Sequence, residues 1–279
     1  MLMNRPVVVG VDGSPSSLVA AEHAARAAVL RSRPLHLVHG YLHPSGYGVP
    51  INPYELGIPK PNDEAQSMLD QLAADLADRW PGLTTEVRQV AGGPGATLVE
   101  ESRRAELVVV GSRGHGGFAG LLLGSVGSQV TAHAQSPVLV VRPTEGPIAV
   151  GGPVLVGVDG SELAEVAVGQ AADEATRQQT KLVLVHVHPP GATDAAEVLD
   201  TAAAAVRGSH PGLTVTTRQL RAEKPDQALI DASRDAALMV VGSRGRGGFT
   251  GMLLGSVSQS LVQHAHCPVL VAHPYGRAR

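Results

Sequence analysis

The sequence predicts an α/β protein built from two tandem domains, each a five-stranded parallel sheet covered by helices. Three observations carry this. Most of the chain is written twice, short Val- and Leu-rich runs alternate with alanine-rich helical stretches, and the composition is apolar without being aromatic. Of 279 residues, 43% are hydrophobic and 3% aromatic, which suits a sheet buried under helices with small side chains. The length gives each of two domains enough chain to bury its own core.

The repeat fixes the organisation. Pro6-Val7-Val8-Val9-Gly10-Val11-Asp12-Gly13-Ser14 returns as Pro153-Val154-Leu155-Val156-Gly157-Val158-Asp159-Gly160-Ser161. Leu35-His36-Leu37-Val38-His39 returns as Leu182-Val183-Leu184-Val185-His186, and Ser136-Pro137-Val138-Leu139-Val140 as Cys267-Pro268-Val269-Leu270-Val271. The offset falls from 147 at Asp12 and Asp159 to 130 at Pro81 and Pro211, so the first unit carries 17 extra residues. They fall mainly between Tyr41 and Asn62, a Pro- and Gly-rich stretch that reads as a long loop. The domains are expected over residues 1–146 and 151–279, joined by the Pro/Gly segment between Arg142 and Pro153.

Within the first unit the runs at 7–11, 35–39, 107–111 and 138–141 read as buried parallel strands, with a weaker strand at 84–90. Residues 16–32 read as an alanine-rich helix, and 64–80 as a helix with Met68, Leu69, Leu72, Leu76 and Trp80 on one face. Helices over 94–105 and 125–134 complete the unit. Alternating strands and helices imply right-handed crossovers and a parallel sheet. The last strands, Val138 to Val141 and Val269 to Val271, are expected to bring the two units together about a pseudo-twofold axis. Ligands of such sheets sit beyond the carboxyl ends of the strands, where the winding reverses. Asp12 and Gly111 lie there.

One motif points to chemistry. Val109-Val110-Gly111-Ser112-Arg113-Gly114 is followed by Gly124-Ser125-Val126, and Val240-Val241-Gly242-Ser243-Arg244-Gly245 is followed at the same distance by Gly255-Ser256-Val257. A glycine loop after a strand lets backbone N–H groups approach an anion, and a helix start adds favourable partial charge. Ser125 is expected to cap its helix. The same glycines would also make a tight strand-to-helix turn with no ligand. Asp12 reads both as a ligand contact and as ordinary Asp-Gly-Ser turn chemistry with an N-cap. Arg113 and Arg244 reach toward phosphate or toward solvent.

Other chemistries fit poorly. The three lysines, Lys60, Lys181 and Lys224, lie outside the glycine loops, and neither the P-loop nor the Gly-x-Gly-x-x-Gly pattern occurs. The twelve histidines show no zinc spacing, although His186 and His188 share a strand face. Cys267, the single cysteine, reads as a buried small residue and suits a reducing compartment. A net charge of −3 gives no general pull toward nucleic acid or anionic membrane. Neither a secretory leader nor a membrane span is expected, so the reading is of a soluble cytoplasmic protein.

The chain resembles tandem universal stress proteins over essentially its whole length. The ATP-binding subset of that family carries Gly-x-x-Gly, nine residues, then Gly-Ser/Thr, which Gly111, Gly114, Gly124 and Ser125 match, as do Gly242, Gly245, Gly255 and Ser256. The resemblance implies the adenine-nucleotide α-hydrolase-like fold with ATP at the strand ends. It implies that the loop residues Gly111, Ser112, Arg113, Gly114, His115, Gly116 and Gly117, with Gly124, Ser125 and Val126, hold phosphates and ribose. Their counterparts are Gly242, Ser243, Arg244, Gly245, Arg246, Gly247, Gly248, Gly255, Ser256 and Val257. Gly10 and Gly157, with Asp12 and Asp159, stand at the first strand's end near ribose, adenine and nucleotide-bound Mg²⁺. Gly40 and Val187 touch adenine through their backbones, and Gly40 departs from the usual valine. The implied function is an ATP-binding regulator of growth or stress adaptation, with one site per domain, an unidentified protein partner and a homodimeric assembly. Rival readings are a weak ATPase or nucleotidyl-transfer enzyme, for which no good general base is visible, and an interaction module with vestigial sites.

Overall fold

The computed structural model describes residues 5–41, 63–114, 122–143, 151–190, 195–246 and 254–274. In the first half β1 (Val7–Gly10), β2 (Leu35–Tyr41), β3 (Thr85–Ala91), β4 (Leu107–Gly111) and β5 (Val138–Val141) alternate with α1 (Pro15–Arg31), α2 (Asp63–Arg79), α3 (Pro94–Glu101) and α4 (Ser125–His133). The second half repeats this with β6 (Val154–Gly157), α5 (Glu162–Arg177), β7 (Leu182–His188), α6 (Ala195–Ser209), β8 (Val215–Arg221), α7 (Pro225–Ala232), β9 (Leu238–Gly242), α8 (Ser256–His264) and β10 (Val269–Ala272).

The ten strands form one sheet in the order β3-β2-β1-β4-β5-β10-β9-β6-β7-β8. Pairing is parallel within each half and antiparallel only between β5 and β10, where Leu139 faces Leu270. The expected meeting of the last strands is therefore a direct hydrogen-bonded seam. Because β1 pairs with both β2 and β4, the winding reverses between β1 and β4. The second half reverses likewise between β6 and β9.

Alternation along the strands splits the core into two layers. Val7, Val9, Leu35 and Leu37 face α1 and α2, whereas Val8, Val38, Val108 and Val110 face α3 and α4. Helix α1 buries Ala20, Ala21, Ala24, Ala25 and Ala28, whose single methyl groups let it lie close on the sheet. The stripe expected on α2 is buried at Leu69, Leu72 and Leu76, while Trp80 falls just past the helix and donates its indole N–H to Glu22 at 2.9 Å. Helix α3 stops at Glu101, short of the expected 105. There the Ser102 hydroxyl donates to the Val99 carbonyl (2.6 Å) and accepts from the Gln135 N–H (2.9 Å), fixing the turn into β4. The expected loop after Tyr41 lies outside the described residues from 42 to 62, as does most of the linker.

Candidate functional site

Each half has a cavity at the carboxyl ends of its strands, on the α3/α4 or α7/α8 face. The first holds about 560 Å³ and the second about 470 Å³, within the range of small-molecule sites. Gly10, Asp12, Gly40, Gly111, Arg113, Gly114, Gly124, Ser125 and Val126 line the first. Gly157, Asp159, Val187, Gly242, Arg244, Gly245, Arg246, Gly255, Ser256 and Val257 line the second. These expected contacts are thus brought together by the switch-point topology.

Three expectations are corrected. Ser125 and Ser256 are not caps: Gly124 and Gly255 occupy the N-cap positions, with no side-chain cap bond, and the serines are the first helical residues. The opening N–H groups of α4 and α8 consequently have no capping side chain, whereas Ser14 caps α1 by accepting from Ser17 N–H at 3.2 Å, leaving Asp12 no cap role. Helices α3 and α7 also start without a side-chain cap, but a proline opens each. Second, Ser112 and Ser243 are buried and line neither cavity. They shape the loop by backbone bonds, each carbonyl accepting from Gly124 or Gly255 N–H at 2.8 Å. Third, Gly111 and Gly242 are bare for packing reasons. A Cβ on Gly111 would lie 2.8 Å from the Ser16 backbone, and one on Gly242 2.9 Å from the Leu163 carbonyl. Both glycines nevertheless line the cavities. His115, Gly116, Gly117, Gly247 and Gly248 lie outside the described residues.

Gly114 and Gly245 face the aspartates, since a Cβ on either would collide with Oδ2 of Asp12 or Asp159. Gly124 differs. A Cβ there would stand 3.7 Å from Arg113 Cα and Ser112 O, ordinary contact distances, so the fold itself does not require that glycine. Asp12 Oδ1 accepts from Ser14 N–H at 3.0 Å across the left-handed Gly13 (φ 82°). Asp159 does the same with Ser161 (3.0 Å), and its Oδ2 also accepts from Arg246 N–H at 2.9 Å.

Several lining residues were not anticipated. Val38, Leu98 and Val110, with Pro94, wall the first cavity, and Val185, Leu229, Val241 and Pro225 the second. The signal was present: Pro94 and Leu98 recur as Pro225 and Leu229 at the start of the same helix. His39 donates from Nδ1 to the Val11 carbonyl at 2.7 Å, and His186 to Val158 at 2.6 Å, fastening β2 and β7 to the aspartate loops. Among the described residues no cluster of His, Cys, Asp or Glu could hold a metal ion by itself.

Each cavity thus joins apolar walls, one carboxylate and a helix start at a glycine. A universal stress protein family model matches residues 3–142 and again residues 152–273. The chain belongs to the universal stress protein family. A universal stress protein of Mycobacterium tuberculosis is 37% identical over 288 residues, covering 95% of each chain. One of Mycolicibacterium smegmatis is 36% identical over 286 residues, covering 96% of this chain and 97% of its own. The crystal structure of a universal stress protein from Archaeoglobus fulgidus superposes with a TM-score of 0.77 at 22% identity, over 97% of this chain and 99% of that one, a likeness of fold.

Within this tandem universal stress protein the two cavities are not identical. Ser17, Gly40 and Gly127 in the first stand where Ala164, Val187 and Ser258 stand in the second. Gly40 has a structural cause: a Cβ there would lie 2.7 Å from Pro94 Cα, because the Gly92-Gly93 turn brings α3 close to β2. In the second half Glu223-Lys224 replaces those glycines, and Val187 is accommodated.

Proposed function

We propose that each half binds one ATP with its Mg²⁺ and that occupancy regulates growth or stress adaptation through a protein partner. The observation that carries this reading is the pair of uncapped starts of α4 and α8, each at a glycine facing a cavity at the sheet's switch point. The triphosphate takes the N–H groups of Ser125 and Val126, or of Ser256 and Val257, which the helix dipole also favours. Arg113 or Arg244 adds a cation at the cavity mouth. The adenine lies in the slot between Val38, Leu98 and Val110, or Val185, Leu229 and Val241. Asp12 and Asp159 stand beside ribose and metal.

The site reads as one for binding rather than catalysis. Among the described lining residues each cavity has one carboxylate, Asp12 or Asp159, and each already accepts a loop hydrogen bond. A hydrolytic site wants a base or a positioned water together with concentrated positive charge. The homodimer implied by family likeness would use surfaces other than β5 and β10, since those strands pair within the chain.

Calorimetric titration of nucleotide-free protein with ATP–Mg²⁺ tests the proposal. Two equivalents per chain are expected, with thermal stabilisation of about 2.7 kcal/mol per site when ligand stands at a hundred times Kd. Absence of both heat and thermal shift at millimolar ATP would leave only the vestigial-site reading.

A further inference from the structure

The helix that opens the second cavity is tied at its far end to the first half of the chain. Helix α8 has nine residues, so its position depends on what holds its ends more than on its own cohesion. At the far end Ala265 N–H donates to the Leu261 carbonyl at 2.9 Å. The following N–H, that of His266, goes instead to the Ser233 hydroxyl at 2.8 Å, so the Val262 carbonyl has no helical partner. Arg142 takes it, with Nη2 donating at 2.9 Å. Among the described residues this carbonyl is the one hydrogen-bond partner of the guanidinium.

Arg142 is itself fixed to the first half. It follows Val141, whose carbonyl accepts from Ser112 N–H of the first glycine loop at 2.7 Å. Burial first, and then Arg113, lower the Arg142 pKa, so the cation stands where its charge is disfavoured and the bond to α8 offsets that. The Val262 carbonyl also lies at the negative end of the α8 dipole, which favours a cation. Less than two turns away, roughly 9 Å along the axis, α8 presents Ser256 and Val257 to the second cavity.

The reciprocal tie is weaker. Around α4 the pattern recurs: Gln135 N–H goes to the Ser102 hydroxyl at 2.9 Å, and the Thr131 carbonyl meets His273 of the second half. Arg142 and His273 hold the same place in the repeat, each directly after a last strand. Burial above all lowers the His273 pKa to about 4, so its ring is uncharged near neutral pH. Its Nε2 is buried with no hydrogen-bond partner among the described residues.

We propose that Arg142, a residue of the first half, is a positioning residue for the second nucleotide site, holding α8 where its opening N–H groups meet the phosphates. The second site is then complete only within the tandem chain. This rests on the reading of α8 as a phosphate cradle.

Amide hydrogen exchange of the full chain across an ATP–Mg²⁺ titration tests it, because peptides over 125–130 and 256–261 report the two sites separately. In Arg142→Met the ATP concentration that half-protects 256–261 should rise about fivefold or more, as for the loss of one hydrogen bond, while that for 125–130 stays within about twofold. Arg142→Lys, which keeps a cation and a donor, should return 256–261 to within about twofold of wild type. Equal rises at both helices would make Arg142 a general stabiliser and overturn the proposal. An unchanged midpoint at 256–261, or a lysine variant no better than methionine, would also overturn it. Nucleotide-free protein separates the tie from the ATP reading. There Arg142→Met should speed exchange over 256–261 about fivefold or more and leave 125–130 unchanged, and unaltered exchange at 256–261 would refute the tie. ATP protecting neither helix in the wild type, with α8 still loosened in Arg142→Met, would overturn the nucleotide reading and leave the tie standing.

Discussion

Gly124→Ala separates the proposed phosphate cradle from the fold that carries it. The added methyl would sit 3.7 Å from Arg113 Cα, 3.7 Å from Ser112 O and 3.9 Å from Gly114 N, between the glycine loop and the first turn of α4. None of these is a clash, and Gly124 has φ −71° and ψ 164°, which alanine adopts freely. The folding penalty is therefore limited to exchanging glycine for alanine at an N-cap, about 1 kcal/mol or less. The effect on binding is larger. A phosphate on the α4 N–H groups must enter the gap the methyl takes, and charge-assisted bonds of this kind contribute about 1.5–3 kcal/mol each. Losing one weakens the first site by about tenfold to a hundredfold. Calorimetry should show one tight equivalent, at the unaltered second site, and one weak or undetectable equivalent. Two unchanged equivalents in a normally folded variant would refute the placement of phosphate at α4. An unfolded variant would refute the packing argument.

Other outcomes follow from the same geometry. Gly40→Val should destabilise the protein by about 1–3 kcal/mol in urea titrations, because its Cβ meets the Pro94 backbone at 2.7 Å, which cannot yield as a side chain would. Glu174→Gln should cost about 3–5 kcal/mol, since it strips a buried carboxylate from Arg31, whose side chain is 6% exposed. His273, buried at the end of β10, has its pKa lowered to about 4, by burial first and then by Arg244, against the Thr131 carbonyl, which raises it. The unfolded chain therefore binds the proton more readily. Stability from this residue is intact above the ordinary value of 6.5 and is lost as pH falls toward 4, at up to about 1.4 kcal/mol per pH unit. Urea midpoints at about pH 7 and about pH 5 should differ less in His273→Gln than in the parent, by about 2 kcal/mol in unfolding free energy.

The fold was legible because duplication and period speak for themselves. Val7-Val8-Val9 and the similar runs at 35–39, 107–111 and 138–141 read as buried strands, and the repeat fixed which helix followed which. The glycine motif located the cavities correctly, yet it did not reveal which glycine is required by backbone packing and which faces a carboxylate. Gly111 and Gly114 look alike in sequence, but one abuts the Ser16 backbone and the other the Asp12 carboxylate. That distinction depends on how α1 approaches β4, a long-range contact that local patterns do not encode. The cap was misplaced by one residue for a similar reason. Serine is the usual N-cap, and only the φ/ψ values show that Gly124 holds the position. The apolar walls at Leu98 and Leu229 were missed because a buried leucine on a helix looks the same whether it faces the core or a slot.

Soaking ATP–Mg²⁺ into crystals of the full chain tests the central claim most directly. Density for a triphosphate within hydrogen-bond reach of the Ser125 and Val126 amides, and again at Ser256 and Val257, is the expected result. Nucleotide bound elsewhere, or side chains occupying both helix starts at saturating ATP, would contradict it.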